Sequence, residues 1–179
     1  MKQMTIAKLV AVAAAGLLSQ AAFADGGTVN FNGQIVDSPC SIDPSSQNIT
    51  VPMGTVSRAV LNGAAGKKAT PSKFQILLTN CGATAKGATV TFTGTTDANV
   101  TDDLAIANAG QVGVTAASGV AIELGDSAGT KIPVGSASGT YVLGLGNNPL
   151  NFQATYVSTG PAVTVGPANS TAQFVVTYL

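Results

Sequence analysis

Thr171-Ala172-Gln173-Phe174-Val175-Val176-Thr177-Tyr178 puts Ala172, Phe174, Val176 and Tyr178 on one side of an extended chain. A period of two held this long is that of a strand with one face buried, and a helix would scatter those side chains around its axis. Leu150 to Tyr156 repeats the pattern, with Leu150, Phe152, Ala154 and Tyr156 together. Further upstream, Lys73 to Thr79 groups Phe74, Ile76 and Leu78, Ala88 to Thr93 groups Val90 and Phe92, and Val120 to Leu124 groups Val120, Ile122 and Leu124. Between these runs lie turn-forming stretches, among them Gly125-Asp126-Ser127-Ala128-Gly129 and Gly144 to Pro149, which suit hairpin connections. Short strands, few charges and abundant Gly and Thr predict an all-β fold, an antiparallel sandwich of the immunoglobulin-like kind. Thr95 to Ala117 is less legible. There Asp102 and Asp103 read as turn or cap residues before Leu104 to Ala107, which could begin a helical turn or an edge strand.

The start of the chain reads differently. Lys2 and Lys8 precede an apolar run from Leu9 to Leu18, and Ala22-Phe23-Ala24 places small residues where a secretory signal is cut. That run is too short to cross a bilayer as a helix, which takes about 20 residues. Cleavage between Ala24 and Asp25 is expected, with cuts after Ala21 or Ala22 also satisfying the small-residue rule. Residues 1–24 are thus read as a signal and 25–179 as one domain. The mature chain keeps six basic and eight acidic residues, a net charge of −2. Nucleic acid would require a concentrated basic surface, so it is not an expected partner. Lys67 and Lys68, the adjacent basic pair, read as a solvated loop.

Cys40 and Cys81 are the only cysteines. In a secreted chain they are expected to pair, closing a loop whose constraint on the unfolded state is worth roughly 4 kcal/mol in the entropic model. A metal site would need further ligands, and the chain has no histidine. The same lack removes the commonest general base and the usual catalytic triads. Asp102 and Asp103 would point to opposite faces of a strand, so they could not share a substrate. Gly144-Leu145-Gly146 lacks the third glycine and the βαβ setting of a dinucleotide site. No cofactor and no catalytic site are therefore expected. The Asn-X-Ser/Thr patterns at Asn48, Asn99 and Asn169 are too permissive to carry a function.

Several stretches, taken in order, resemble the major structural subunits of type 1 fimbriae and related chaperone/usher pilins. They are Gly26-Gly27-Thr28-Val29-Asn30-Phe31-Asn32-Gly33, then Cys40, then Phe74-Gln75-Ile76-Leu77-Leu78-Thr79-Asn80-Cys81, then Asn151-Phe152-Gln153-Ala154-Thr155-Tyr156. The ending from Gly166 to Leu179 is the most specific, with Gly166 fourteenth from the C-terminus and Tyr178 penultimate. The likeness spans the mature chain.

The resemblance implies an incomplete immunoglobulin-like β-sandwich, completed by a donor strand from a periplasmic chaperone and then from a neighbouring subunit at the outer-membrane usher. It implies a homopolymer, joined by other pilus subunits, reaching the cell surface through the periplasm as an adhesive fimbria. Gly27, Val29 and Phe31 would be the donor residues within an N-terminal extension, 25–33. The subunit's own sandwich would be 34–179, with Ile35 in its first strand. Gly166, Phe174, Val176, Tyr178 and Leu179 would belong to the acceptor strand, the Leu179 carboxylate being gripped by basic chaperone residues. A minor adaptor subunit would share every one of these motifs. A tip adhesin would carry an extra N-terminal domain for which this chain has no room, and a secreted enzyme fits least.

Overall fold

The computed structural model describes residues 28–33, 39–113 and 115–179. The chain divides into two compact units, Met1–Val36 and Asp37–Leu179. In the first, residues 28–33 belong to no helix or strand and all are exposed. The expected cleavage point at Ala24 and Asp25, the expected donor residue Gly27, and Ile35 lie outside the described residues.

Among its described residues the second unit holds eight strands: β1 (Ser41–Ile42), β2 (Ser72–Cys81), β3 (Gly87–Gly94), β4 (Leu104–Ala105), β5 (Val120–Asp126), β6 (Tyr141–Val142), β7 (Gly146–Ser158) and β8 (Ala172–Tyr178). They form two antiparallel sheets, one ordered β1-β2-β7-β5-β4 and the other β6-β3-β8. A three-residue 3-10 turn, Pro44–Ser46, and a four-residue helix, Arg58–Leu61, are the helical pieces among the described residues. Each is capped by the side chain before it, Asp43 and Ser57 accepting from backbone N–H groups of the first turn.

Register explains how the predicted faces meet. Phe74 pairs with Phe152 and Ile76 with Leu150 across β2 and β7, while Ile122 pairs with Tyr156 across β5 and β7. Ile76, Leu78, Leu150 and Phe152 are buried to within 2 % from one sheet, and Val90 and Phe92 meet them from the other. Phe152 lies 5.6 Å from Phe74, 5.1 Å from Phe92 and 5.4 Å from Tyr141 between ring centres, an aromatic knot at the middle of the core. Near the end of β2 the register shifts by one residue between Leu78 and Cys81, where Asn80 takes a φ of 54°. That bulge turns Cys81 inward, and the disulfide Cys40–Cys81 forms there as expected.

The structure corrects one expectation and adds to two others. β7 begins at Gly146, inside the stretch read as a connection. Pro149 is tolerated because its partner Leu77 sends its own backbone groups toward Asp43 and Ser46, leaving Leu77–Pro149 a non-hydrogen-bonded pair. Lys67 and Lys68 are exposed in a loop as read, and each is also tied down: the Lys67 N–H donates to buried Ser158 Oγ at 2.9 Å, and Lys68 Nζ pairs with Glu123 at 2.5 Å. Asp103 does sit in a turn, its N–H bonding Val100 O, yet it is 1 % exposed and faces Lys131 Nζ at 2.8 Å. Burial pushes its carboxyl up, against the pull of Lys131. Of the two readings left open for Leu104 to Ala107, the edge strand is the one formed.

Candidate functional site

β8 pairs with β3 along one side, and among the described residues no strand pairs with its other side. The direction of its backbone groups follows from the ladder. Leu179 N–H donates to Gly87 O at 2.9 Å, so the alternation of an antiparallel pair sends the groups of Gln173, Val175 and Thr177 toward β3. Those of Ala172, Phe174, Val176 and Tyr178 point to the open side. The same four residues turn their side chains to the core, but all remain only half-buried.

Opposite this edge runs an irregular segment, Gln47–Gly54, in which Ile49, Val51 and Met53 are half-buried against the core and Asn48, Thr50 and Pro52 are exposed. Between the two walls lies a groove of about 1020 Å³ floored by Phe74, Phe92, Leu104, Ile122, Leu124, Ala154 and Tyr156. Among the described residues, no charged side chain lines it. Tyr156 OH donates to Ala168 O at 2.6 Å, fastening the approach to β8 to the middle of the larger sheet, and burial pushes its phenol up. The groove offers an apolar floor, a free backbone edge and two rows of alternating side chains. Such an arrangement can receive an extended chain with apolar residues at every second position. It holds no nucleophile positioned beside a base and no cluster of metal ligands among the described residues.

The predicted residues fall into separate places. Phe174 lines the groove; Val176 and Tyr178 continue the same face beyond it, with Tyr178 OH reaching Cys40 O at 3.4 Å. Leu179 ends the ladder at Gly87, 62 % exposed. Gly166 does not line the groove. A Cβ there would stand 1.9 Å from Thr115 O and 2.7 Å from Ala117 N, so glycine lets two backbones cross just before β8. Val29 and Phe31 lie in the first unit, 71 % and 91 % exposed. The opposite wall was missed in the sequence, although Ile49, Val51 and Met53 carry the same period of two as β8.

The family model for fimbrial proteins matches residues 29–179. The chain belongs to the fimbrial protein family. It is 39 % identical to the Fimbria A protein of Serratia marcescens over 92 % of this chain and 91 % of that one. Among solved structures, an antigen and type I fimbria protein of Burkholderia pseudomallei matches with 40 % identity and a TM-score of 0.60, over 85 % of this chain and 97 % of that one. A chaperone-usher pilus structure concerned with rod uncoiling matches with 29 % identity and a TM-score of 0.68, over 87 % and 96 %. This fimbrial subunit is therefore an all-β, incomplete immunoglobulin-like sandwich, a structural component of a surface fimbria exported by way of the periplasm and assembled with other subunits.

Proposed function

We propose that the groove beside β8 is the acceptor for donor-strand exchange, and that residues 25–33, freed by cleavage after Ala24, are the donor. The observation that carries this is the unpaired outer edge of β8 above an apolar floor. A donated strand would take up the free groups of Ala172, Phe174, Val176 and Tyr178, closing an edge that would otherwise invite uncontrolled pairing. Val29 and Phe31 of a second copy would enter the groove, and Gly27 would fit where it is shallow. Burying each large side chain contributes roughly 1.5–3 kcal/mol. Before assembly, a periplasmic chaperone supplies a strand to the same edge and grips the Leu179 carboxylate with basic residues; the usher is where the exchange takes place. In this reading residues 34–179 form the sandwich, the product is the shaft of an adhesive homopolymer, and the chain has no catalytic task and needs no cofactor.

The mature chain should give stable soluble monomer with the chaperone and aggregate or be degraded without it. Phe31→Asp separates the donor from the core, since an apolar pocket would have to desolvate a carboxylate at a cost of several kcal/mol. Fibres should be lost while the chaperone complex persists. Loss of that complex would place Phe31 in the subunit's own core, and unchanged fibre length would remove this segment from the mechanism.

A further inference from the structure

The chain has two Asn-Gly pairs, Asn32-Gly33 and Asn62-Gly63, and they are held in opposite ways. At the second, Gly63 N–H donates to Pro161 O at 2.8 Å, Asn62 Oδ1 accepts from Val163 N–H at 3.0 Å, and Lys67 Nζ donates to Asn62 O at 2.7 Å. Both the nitrogen and the side-chain amide are engaged and fixed. At the first, both residues are exposed, neither makes a hydrogen bond among the described residues, and a Cβ on Gly33 would meet nothing within 4 Å. Glycine also gives that backbone the freedom to bring its nitrogen onto the preceding side chain. Asn30, equally exposed, is followed by Phe31, whose substituted Cα crowds the same approach.

We propose that Asn32-Gly33 is a site of spontaneous deamidation, open in the free subunit, whereas the fold protects Asn62-Gly63. The Gly33 nitrogen attacks Asn32 Cγ, the Cγ–Nδ2 bond breaks, and the amide leaves as ammonia carrying the Gly33 proton. Water then opens the cyclic imide, giving aspartate or, by cleavage on the other side, isoaspartate. Water is the only co-reactant. Isoaspartate routes the main chain through one extra carbon, which breaks the alternation on which strand pairing depends. A consequence, resting on the donor reading, is that a subunit waiting too long loses its donor segment, while one already assembled has this backbone engaged and keeps it.

The test follows purified mature subunit with its chaperone in mildly alkaline buffer, mapping peptides by mass and scoring isoaspartate by enzymatic methylation, in parallel with subunit unfolded in urea and with assembled fibres. The Asn32 peptide should become acidic in the folded subunit and the Asn62 peptide only in urea; Gly33→Ala should remove the Asn32 conversion. An Asn32 peptide that keeps its amide while Asn62 converts in urea would overturn the site, as would equal conversion of the two in the folded subunit. Fibres converting as fast as free subunit would overturn protection by assembly. The donor reading is tested separately by Phe31→Asp and fails if that variant polymerises normally or loses its chaperone complex, so the two failures are told apart.

Discussion

β7 and β8 carry nearly the same sequence pattern and end in different states. Leu150, Phe152, Ala154 and Tyr156 of β7 are between 1 and 8 % exposed, whereas Ala172, Phe174, Val176 and Tyr178 of β8 are half-buried. The cause is position in the sheet. β7 is flanked by β2 and β5; β8 has β3 on one side and the groove on the other. Alternation therefore reports which face of a strand turns inward, and a missing neighbour is a property of the sheet that no single strand encodes.

Truncation of the two equivalent phenylalanines should expose that difference most strongly. Phe152→Ala removes a ring packed on Phe74, Phe92 and Tyr141 and should cost about 3–5 kcal/mol. Phe174→Ala, at the rim of an open groove, should cost about 1 kcal/mol in the subunit. Urea unfolding of the two variants measures the gap, and equal losses would mean that β8 is as enclosed as β7. The disulfide comes next, because Cys40–Cys81 ties the start of the second unit to the end of β2. Replacing both cysteines by alanine should cost roughly 4 kcal/mol in the entropic model. Non-reduced peptide mass spectrometry should find them joined in the parent protein.

The closed side has its own sensitive point, Asp103 with Lys131. Lys131→Met should cost about 3 kcal/mol at neutral pH, because it leaves a buried carboxylate unpaired. The sign of the pH dependence follows from the folded carboxyl standing above its ordinary value of 3.8, chiefly through burial, with Glu123 and Asp102 adding to the push. Without Lys131 to oppose them it rises further. The folded state then binds a proton that the unfolded state has released, so the variant should regain stability as pH falls through the folded pKa toward 3.8. Unfolding midpoints across the acid range test this, and a variant that weakens further on acidification would refute it.

The five longest strands were legible because each carries enough alternation to fix a face. The two-residue strands β1 and β6 were not, since a pair of residues has no period, and β4 was visible only as one of two readings of Leu104 to Ala107. Gly144 to Pro149 misled because glycine, asparagine and proline mark turns by local preference, which the pairing with β2 overrides. Asp103 was read as a turn or cap residue, and its burial went unseen because its ion partner lies 28 positions further on, at Lys131. Half of the groove was visible in β8; the other wall, Ile49, Val51 and Met53, kept the right period but belongs to no ladder.

The smallest effect is expected at the tyrosines, where the same side chain occurs once in the closed strand and once in the open one. Tyr156 OH donates to Ala168 O at 2.6 Å under cover of the groove floor, while Tyr178 OH lies 3.4 Å from Cys40 O beside solvent. Tyr156→Phe strips a carbonyl of its partner in an enclosed place and should cost about 1–1.5 kcal/mol. Tyr178→Phe gives up a long bond that water can replace and should cost about 0.5 kcal/mol or less. Alkaline titration adds a second reading. Burial raises the folded Tyr156 phenol above its ordinary value of 10.0, so the unfolded chain ionises first. The stability this group contributes is complete below that value and is lost as pH rises through the folded pKa. Tyr156→Phe should flatten part of the alkaline loss, leaving the share due to Tyr141, whose phenol burial also raises. If Tyr178→Phe proved the costlier substitution, the hydroxyl at the open edge would matter to the lone subunit more than the one at the closed centre, and the contrast between β7 and β8 would have to be abandoned.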